Sequence, residues 1–189
     1  FKHINKYCIA LPNGSKIDDL IVLDKEAVVQ DYNSQRTGEI IYPFIHKIKS
    51  PAIWDCCAAS GGKSIMLWDH NPTIQLTVSD IRKSILNNLQ QRFQTAGIGQ
   101  YKSFIIDLTV SSLQLPRQHF DIILADVPCT GSGTWTRTPE QLYFFKEKAI
   151  KQFAERQQKI IDNIIPFLKK DGYLVYITCS VFKQENEGM

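Results

Sequence analysis

From Ala52 onward, short apolar runs alternate with longer stretches of helical spacing. The runs are AIWDCC (52–57), IQLTVSD (74–80), SFIID (103–107), FDIILAD (120–126) and GYLVYITCS (172–180). Their length and continuity predict buried strands. Between them GGKSIMLWDH and RKSILNNLQQRFQTAG predict helices, as does the stretch from Glu140 to Lys170. In that last stretch apolar residues recur at Phe144, Phe145, Ile150, Phe153, Ile160, Ile161, Ile164 and Ile165, until Pro166 ends or kinks the helix. Strands alternating with helices predict an α/β fold, a doubly wound and mainly parallel sheet covered on both faces. Residues 1–30 read as a β-rich lead-in, with YCIAL and DDLIVL on either side of the turn-like PNGSK. A helix is expected from Asp31 through SQRTGEIIYPFIHKI, weakened by Gly38 and Pro43. The expected division is therefore a lead-in over 1–30 and one Rossmann-like domain over 31–189.

Composition narrows the class. Hydrophobic content of 43% with 22% charged residues suits a globular domain and argues against disorder. No apolar run approaches the roughly 20 residues of a membrane span. There is no basic-then-apolar leader, and the five cysteines (Cys8, Cys56, Cys57, Cys129, Cys179) lack paired metal-ligand spacing. These features predict reduced thiols in a cytoplasmic protein without a metal site or a membrane partner. Nothing calls for an obligate protein partner. A net charge of +3 permits a nucleic-acid partner without requiring one. The chain opens at Phe1 and stops at Met189 after KQENEG, the pattern expected of a portion of a longer protein.

In open parallel sheets ligands sit beyond the carboxyl ends of the strands. Here those ends carry Asp55-Cys56-Cys57, Asp80, Asp107, Asp126 with Cys129, and Cys179-Ser180. Five polar or reactive endings together define a candidate site. The first strand runs into AASGGKS (58–64), a glycine turn opening a helix, which suits a ligand approaching backbone N–H groups. A phosphate-binding loop would need glycine five residues before Gly62, where Cys57 stands, and no dinucleotide fingerprint is present. A nucleoside-type ligand remains. Asp80, about 20 residues past the turn, stands where an acid hydrogen-bonds ribose hydroxyls. Asp107 is placed to accept from an adenine amine. Taken singly, Asp80 reads as well as an N-cap and Asp107 as a turn former; taken with the glycine turn, the set favours the ligand.

Most cysteines are small buried hydrophobes, and Cys8, Cys56 and Cys57 fit that description. Cys129 and Cys179 differ because both follow apolar runs at the ligand end. Lys63 is available to lower a thiol pKa or to steady a nearby carboxylate. Methylation of carbon 5 of a pyrimidine needs such a thiol. Addition of a thiolate to carbon 6 makes the ring an enamine, while an acid such as Asp126 hydrogen-bonds ring nitrogen 3.

DCCAASGGKS, DVPCTGSG and YITCSVFKQENE resemble the signature segments of the Fmu/Sun (RsmB/NSUN-type) RNA (cytosine-5)-methyltransferases, and QDYNSQ (30–35) and RTPE (137–140) resemble two more. The likeness runs from about Gln30 to the end. It implies a Rossmann-like methyltransferase fold with S-adenosyl-L-methionine held by Cys57, Ala58, Ala59, Ser60, Gly61, Gly62 and Lys63, with Asp80, Asp107 and Asp126. It implies Cys179 as nucleophile and Cys129 as the group that helps release product, with Lys63 and Asp126 supporting the base. The implied partner is structured RNA, often ribosomal. Two positions depart from the family pattern: Ser60 replaces a usual proline, and Ile85 a common arginine, for which Arg82 is the nearest substitute. The family fold has seven strands against five counted here, so two more are expected beyond Met189 and an RNA-binding extension before Phe1. Two rival readings are a nucleotide hydrolase and a catalytically silent RNA-binding module of the same fold. A third is a DNA-directed enzyme, against which the TCS segment speaks. Basic residues Arg82, Lys83 and Arg92, and the series Lys146, Lys148, Lys151, Arg156 and Lys159, read equally as solvated faces. Arg137 beside Trp135 is the better candidate for touching RNA.

Overall fold

The computed structural model describes residues 1–12, 14–110 and 119–189. Asn13, in the expected PNGSK turn, lies outside them. Strands β1 (Lys2–Asn5) and β2 (Cys8–Ala10) pair antiparallel. Helix α1 (Tyr32–Ile45) follows, then β3 (Ala52–Asp55), α2 (Gly62–His70), β4 (Gln75–Asp80), α3 (Lys83–Thr95) and β5 (Tyr101–Ile105). The chain continues through β6 (Phe120–Asp126), the short α4 (Glu140–Phe144), α5 (Lys148–Ile164) and β7 (Leu168–Ile177).

The sheet has the order β5-β4-β3-β6-β7 and every pairing in it is parallel. The five expected strands are these five. Beyond β3 the chain builds one edge through β4 and β5, then returns to place β6 on the other side of β3. That reversal is the topological switch point, where open sheets leave a crevice. On one face Ile53, Leu76, Val78, Ile122 and Leu124 pack with Ile41, Ile65 and Phe93 from α1, α2 and α3. On the other, Trp54, Ile123 and Ala125 pack with Ile160 and Ile164 of α5. Alternate residues of β3 and β6 thus face opposite cores, which is why both strands read as continuous apolar runs. Trp54 is fully buried and satisfies its indole N–H on the Ser79 hydroxyl, 3.0 Å away.

Two local expectations are corrected. DDLIVL forms turns, not a strand: Leu20 and Val22 are exposed, the Lys25 and Glu26 amides bond back to the Val22 carbonyl, and Asp24 is left-handed at φ 64°. The stretch from Glu140 is two helices, because Phe145 turns extended and packs between the rings of Trp135 and Phe182. Pro166 sits in a 3-10 turn that closes α5. Helix α1 does start after Asp31, whose carboxylate accepts from the Asn33 and Ser34 amides, and it accommodates Pro43 in its last turn. Among the described residues no helix is long and apolar enough to cross a membrane.

Candidate active site

A cleft of about 270 Å³ opens at the switch point between β3 and β6. Its walls include Cys57, Ala58, Ala59, Ser60, Gly62, Lys63 and Asp126 from the predicted set. Val29, Gln30, Asp31 and Ser34 close it from the approach to α1 and its first turn, and Asp55 and Arg92 complete it. Gly61, Asp80 and Asp107 are not among the wall residues.

Each of these three has a defined local task. Gly61 is left-handed at φ 81°, and a Cβ there would lie 2.7 Å from the Phe93 ring, so only glycine fits. Asp80 does not cap α3, whose N-cap is Arg82. Its carboxylate instead accepts from the Ala59 amide (3.1 Å) and from the Arg82 amide and guanidinium (2.9–3.1 Å). Hydrogen bonds from Arg82 hold the Asp80 carboxyl below the usual carboxylate range, against the opposing effect of burial. Asp107 accepts from the Thr109 amide and hydroxyl, the expected turn geometry, and these bonds lower its pKa. Arg82 and Arg92 therefore bind protein groups. Arg92 grips Asp24 (2.6 and 2.9 Å) and the Ser60 carbonyl and hydroxyl (2.9 and 3.1 Å). The serine at the usual proline position is fastened by this arginine.

Lys63, in the first turn of α2, crosses to the end of β6 and donates to Asp126 Oδ2 at 2.5 Å. This selects its second predicted role, steadying a carboxylate. Asp55 ends β3 beside it; it is among the strand endings that mark the site, but sequence alone assigns it no role there. One of its oxygens accepts from the Ser64 hydroxyl at 2.7 Å; the other, Oδ1, is buried without a partner among the described residues. Burial chiefly pushes its pKa up to about 7, against the Ser64 bond, with the Asp126 charge adding to the rise. Such an orphaned acceptor at the floor of a cleft suits a cationic or N–H-bearing ligand group.

The two singled-out cysteines meet. Strands β6 and β7 pair Asp126 with Ile177, and just past that point Cys129 Sγ and Cys179 Sγ lie 3.3 Å apart. The hydrogen bond from Cys179 lowers the Cys129 pKa to about 7, against the effect of burial. Cys179 is correspondingly raised by that same bond, by burial and by the charges of Cys129 and Asp126. The pair thus gives up one proton readily and keeps the other. Cys56 is fully buried, as expected, whereas Cys57 is half-exposed on the cleft wall. Among the described residues no group of three or more His, Cys, Asp or Glu side chains is arranged to hold a metal. Arg137 pairs with the free side of the Asp31 carboxylate, so it joins the loop after the glycines to α1. Lys146, Lys148, Lys151 and Lys159 are exposed.

A glycine-turn sheet with a cleft at its switch point and acids at its strand ends is the S-adenosylmethionine-dependent methyltransferase fold. Such a methyltransferase from Clostridium acetobutylicum shares that fold at 14% identity, with a TM-score of 0.51 over 77% of this chain and 49% of its own. The chain belongs to the 16S rRNA methyltransferase RsmB/F family, whose model matches residues 44–189. Ribosomal RNA small subunit methyltransferase B of Shewanella oneidensis is 32% identical over 168 residues, covering 88% of this chain and 38% of that protein. The Escherichia coli protein of the same name is 35% identical over 136 residues, 71% of this chain and 31% of its own length. Among solved structures, NSun6 from Pyrococcus horikoshii with SFG is 28% identical, with a TM-score of 0.73 over 84% of this chain and 39% of that one. The chain spans between 31% and 39% of the length of these relatives.

Proposed function

We propose that residues 31–189 carry the catalytic centre of an S-adenosylmethionine-dependent RNA (cytosine-5)-methyltransferase acting on ribosomal RNA. The observation that carries this reading is the thiol pair at 3.3 Å, set beside the Lys63–Asp126 ion pair at the ends of adjacent strands. Relatives named as ribosomal RNA methyltransferases, and a related structure holding the S-adenosylmethionine analogue SFG, support the substrate and the cofactor.

The cleft fits the cofactor. The orphaned Asp55 Oδ1 suits its ammonium group, and the turn from Cys57 to Lys63 with the α2 N-terminus lines the same space. Asp80 and Asp107 are assigned to ribose and adenine from their places at the ends of β4 and β5. When bound, the cofactor supplies a methyl group activated by a sulfonium.

The chain's own residues prepare the base. Cys129, the thiolate of the pair, takes the proton of Cys179, whose sulfur adds to carbon 6 of cytosine. The Lys63 ammonium, through the Asp126 carboxylate it is bonded to, supplies the proton taken up at ring nitrogen 3, and the pair so absorbs the charge that develops there. Carbon 5 then accepts the methyl group and gives its proton to solvent, while ring nitrogen 3 returns its proton to the Asp126–Lys63 pair. Cys179 departs as the carbon–sulfur bond breaks, and Cys129 returns its proton to the departing sulfur.

RNA carrying 5-azacytidine traps such an adduct, because nitrogen at position 5 has no proton to lose. With S-adenosylmethionine present, the native chain and Cys129→Ala should each give a covalent protein–RNA species by mass spectrometry, and Cys179→Ala should give none. On unmodified RNA only Cys129→Ala should accumulate adduct. An adduct that survives Cys179→Ala removes that residue as nucleophile.

A further inference from the structure

Glu185 is fully buried, and among the described residues no lysine, arginine or histidine forms an ion pair with it. Burying a carboxylate costs several kcal/mol in order of magnitude unless hydrogen bonds replace its water. Here four neutral donors do so. Oε2 accepts from the Thr130 amide at 2.9 Å and from Gln157 Nε2 at 3.0 Å; Oε1 accepts from the Thr130 hydroxyl at 2.6 Å and the Ser180 hydroxyl at 2.7 Å.

The donors are not scattered. Thr130 follows Cys129 and Ser180 follows Cys179, so one carboxylate holds the residue after each thiol. Gln157 of α5 also donates to the Pro128 carbonyl (2.9 Å), on the other side of Cys129. The next residue, Asn186, brackets Cys179 in the same way: it accepts from the Thr178 hydroxyl at 2.6 Å and donates to the Ser180 carbonyl at 2.9 Å. The loops also meet directly, the Gly133 amide donating to the Cys179 carbonyl at 2.8 Å, where a Cβ on Gly133 would collide with that oxygen.

We propose that Glu185 is a positioning residue for the thiol pair, fixing the loops that present Cys129 and Cys179 so that their sulfurs meet. It lies outside the cleft walls and touches neither sulfur, so it acts through Thr130, Ser180 and Gln157. This assignment rests on the reading of the two thiols as a catalytic pair. Its test is a property of the sulfurs themselves. The charged or titratable groups bearing on them are Asp126, Tyr176 and Glu185.

The experiment compares the native chain with Glu185→Gln and Thr130→Val. Thiol labelling by iodoacetamide is followed by mass spectrometry from pH 5 to 9, and closure of the Cys129–Cys179 disulfide is followed with diamide, which takes up the two thiol hydrogens. Glutamine cannot accept all four bonds, so the loops should part. Diamide closure should slow roughly tenfold or more, and the Cys129 labelling midpoint should rise from about 7 toward the ordinary thiol value near 8.5, because the lost hydrogen bond from Cys179 is the largest influence on Cys129 and outweighs removal of the Glu185 charge, which alone would lower it. Thr130→Val, which removes one donor and keeps the fold's shape, should shift both in the same direction by less. S-adenosylmethionine affinity should stay within about twofold, since Glu185 does not line the cleft. Unchanged labelling and closure in both variants, whatever the melting temperature does, overturns the proposal. If the thiols respond as stated while no protein–RNA adduct forms on 5-azacytidine RNA, the positioning role stands and the methyltransferase reading falls.

Discussion

Cys129 Sγ and Cys179 Sγ are 3.3 Å apart across 50 residues of sequence. Parallel pairing of β6 with β7 does most of this, because Asp126 and Ile177 are register partners and each thiol follows its strand end by two or three residues. The pair shares a hydrogen bond, and that bond is the largest influence on both thiols.

Removing Cys179 should therefore raise the Cys129 pKa. The donor that stabilises the Cys129 thiolate is lost, while burial and the Glu185 charge, which oppose ionisation, remain. In Cys179→Ala the iodoacetamide labelling midpoint of Cys129 should move up from about 7 by a unit or more, on the order of 1.4 kcal/mol per unit. An unmoved midpoint would mean that the sulfurs are not hydrogen-bonded in solution.

Asp55 should make the unliganded domain less stable as pH rises. Its carboxyl titrates near 7 in the fold, against about 4 in an unfolded chain, so between those values the folded state binds more proton. Stability contributed by the protonated form is complete below pH 4, falls as pH rises through 7 and is level above. The loss is at most about 4 kcal/mol, three units at 1.36 each. Asp55→Asn should flatten the melting temperature between pH 5 and 8 and raise it at pH 8 relative to the native chain. S-adenosylmethionine should stabilise the native chain far more than this variant if the carboxylate receives its ammonium group.

The Lys63–Asp126 pair should be a coupled unit. Lys63 is 14% exposed and Asp126 35%, so solvent screens the pair only in part. A double-mutant cycle with Lys63→Met and Asp126→Asn, read by urea denaturation, should return a coupling of about 1–2 kcal/mol. Additive single effects would show that the pair forms no real contact in solution. Lys63→Met should also lower the adduct rate on 5-azacytidine RNA more than it lowers cofactor affinity, because the lysine's proton serves the base.

The legible part of this site was what strand ends dictate. FDIILAD matches β6 residue for residue, whereas Gln30, Asp31 and Ser34 of the QDYNSQ segment, which line the cleft, have no place in the site as read from sequence. What escaped was set by partners distant in sequence. DDLIVL ends in an apolar run like a buried strand, but among the described residues it pairs only through the bridge of Leu23 to Ala27, and Asp24 is taken by Arg92 on α3. Phe145 has helical spacing, yet stacking with Phe182 draws it out of the helix. Arg82 and Arg92 read as surface charge because their acids, Asp80 and Asp24, could not be paired from spacing alone. Glu185 lay inside a quoted motif. Only the folded chain reveals that a glutamate in a run of polar residues is completely buried.

Gly61 offers the most local test of how the turn is built. Its φ of 81° already strains any side chain, and the Cβ of an alanine would meet Phe93 at 2.7 Å and Leu89 at 3.0 Å. Both neighbours belong to the packed face of α3 and cannot swing away as a surface chain would. Backbone strain and overpacking each cost roughly 1–3 kcal/mol, so Gly61→Ala should destabilise by about 2–5 kcal/mol in chemical denaturation. The turn should then shift as a body, since the Ala58 carbonyl accepts from the Gly61 amide at 2.8 Å and Ala59 hangs from Asp80. Cofactor affinity should drop with it, measured by titration calorimetry at a temperature where the variant remains folded. Leu89→Ala itself costs a few kcal/mol as a core truncation, so the comparison is a double-mutant cycle: in the Leu89→Ala background the added cost of Gly61→Ala should shrink by the part due to Leu89 and keep the parts due to Phe93 and to φ.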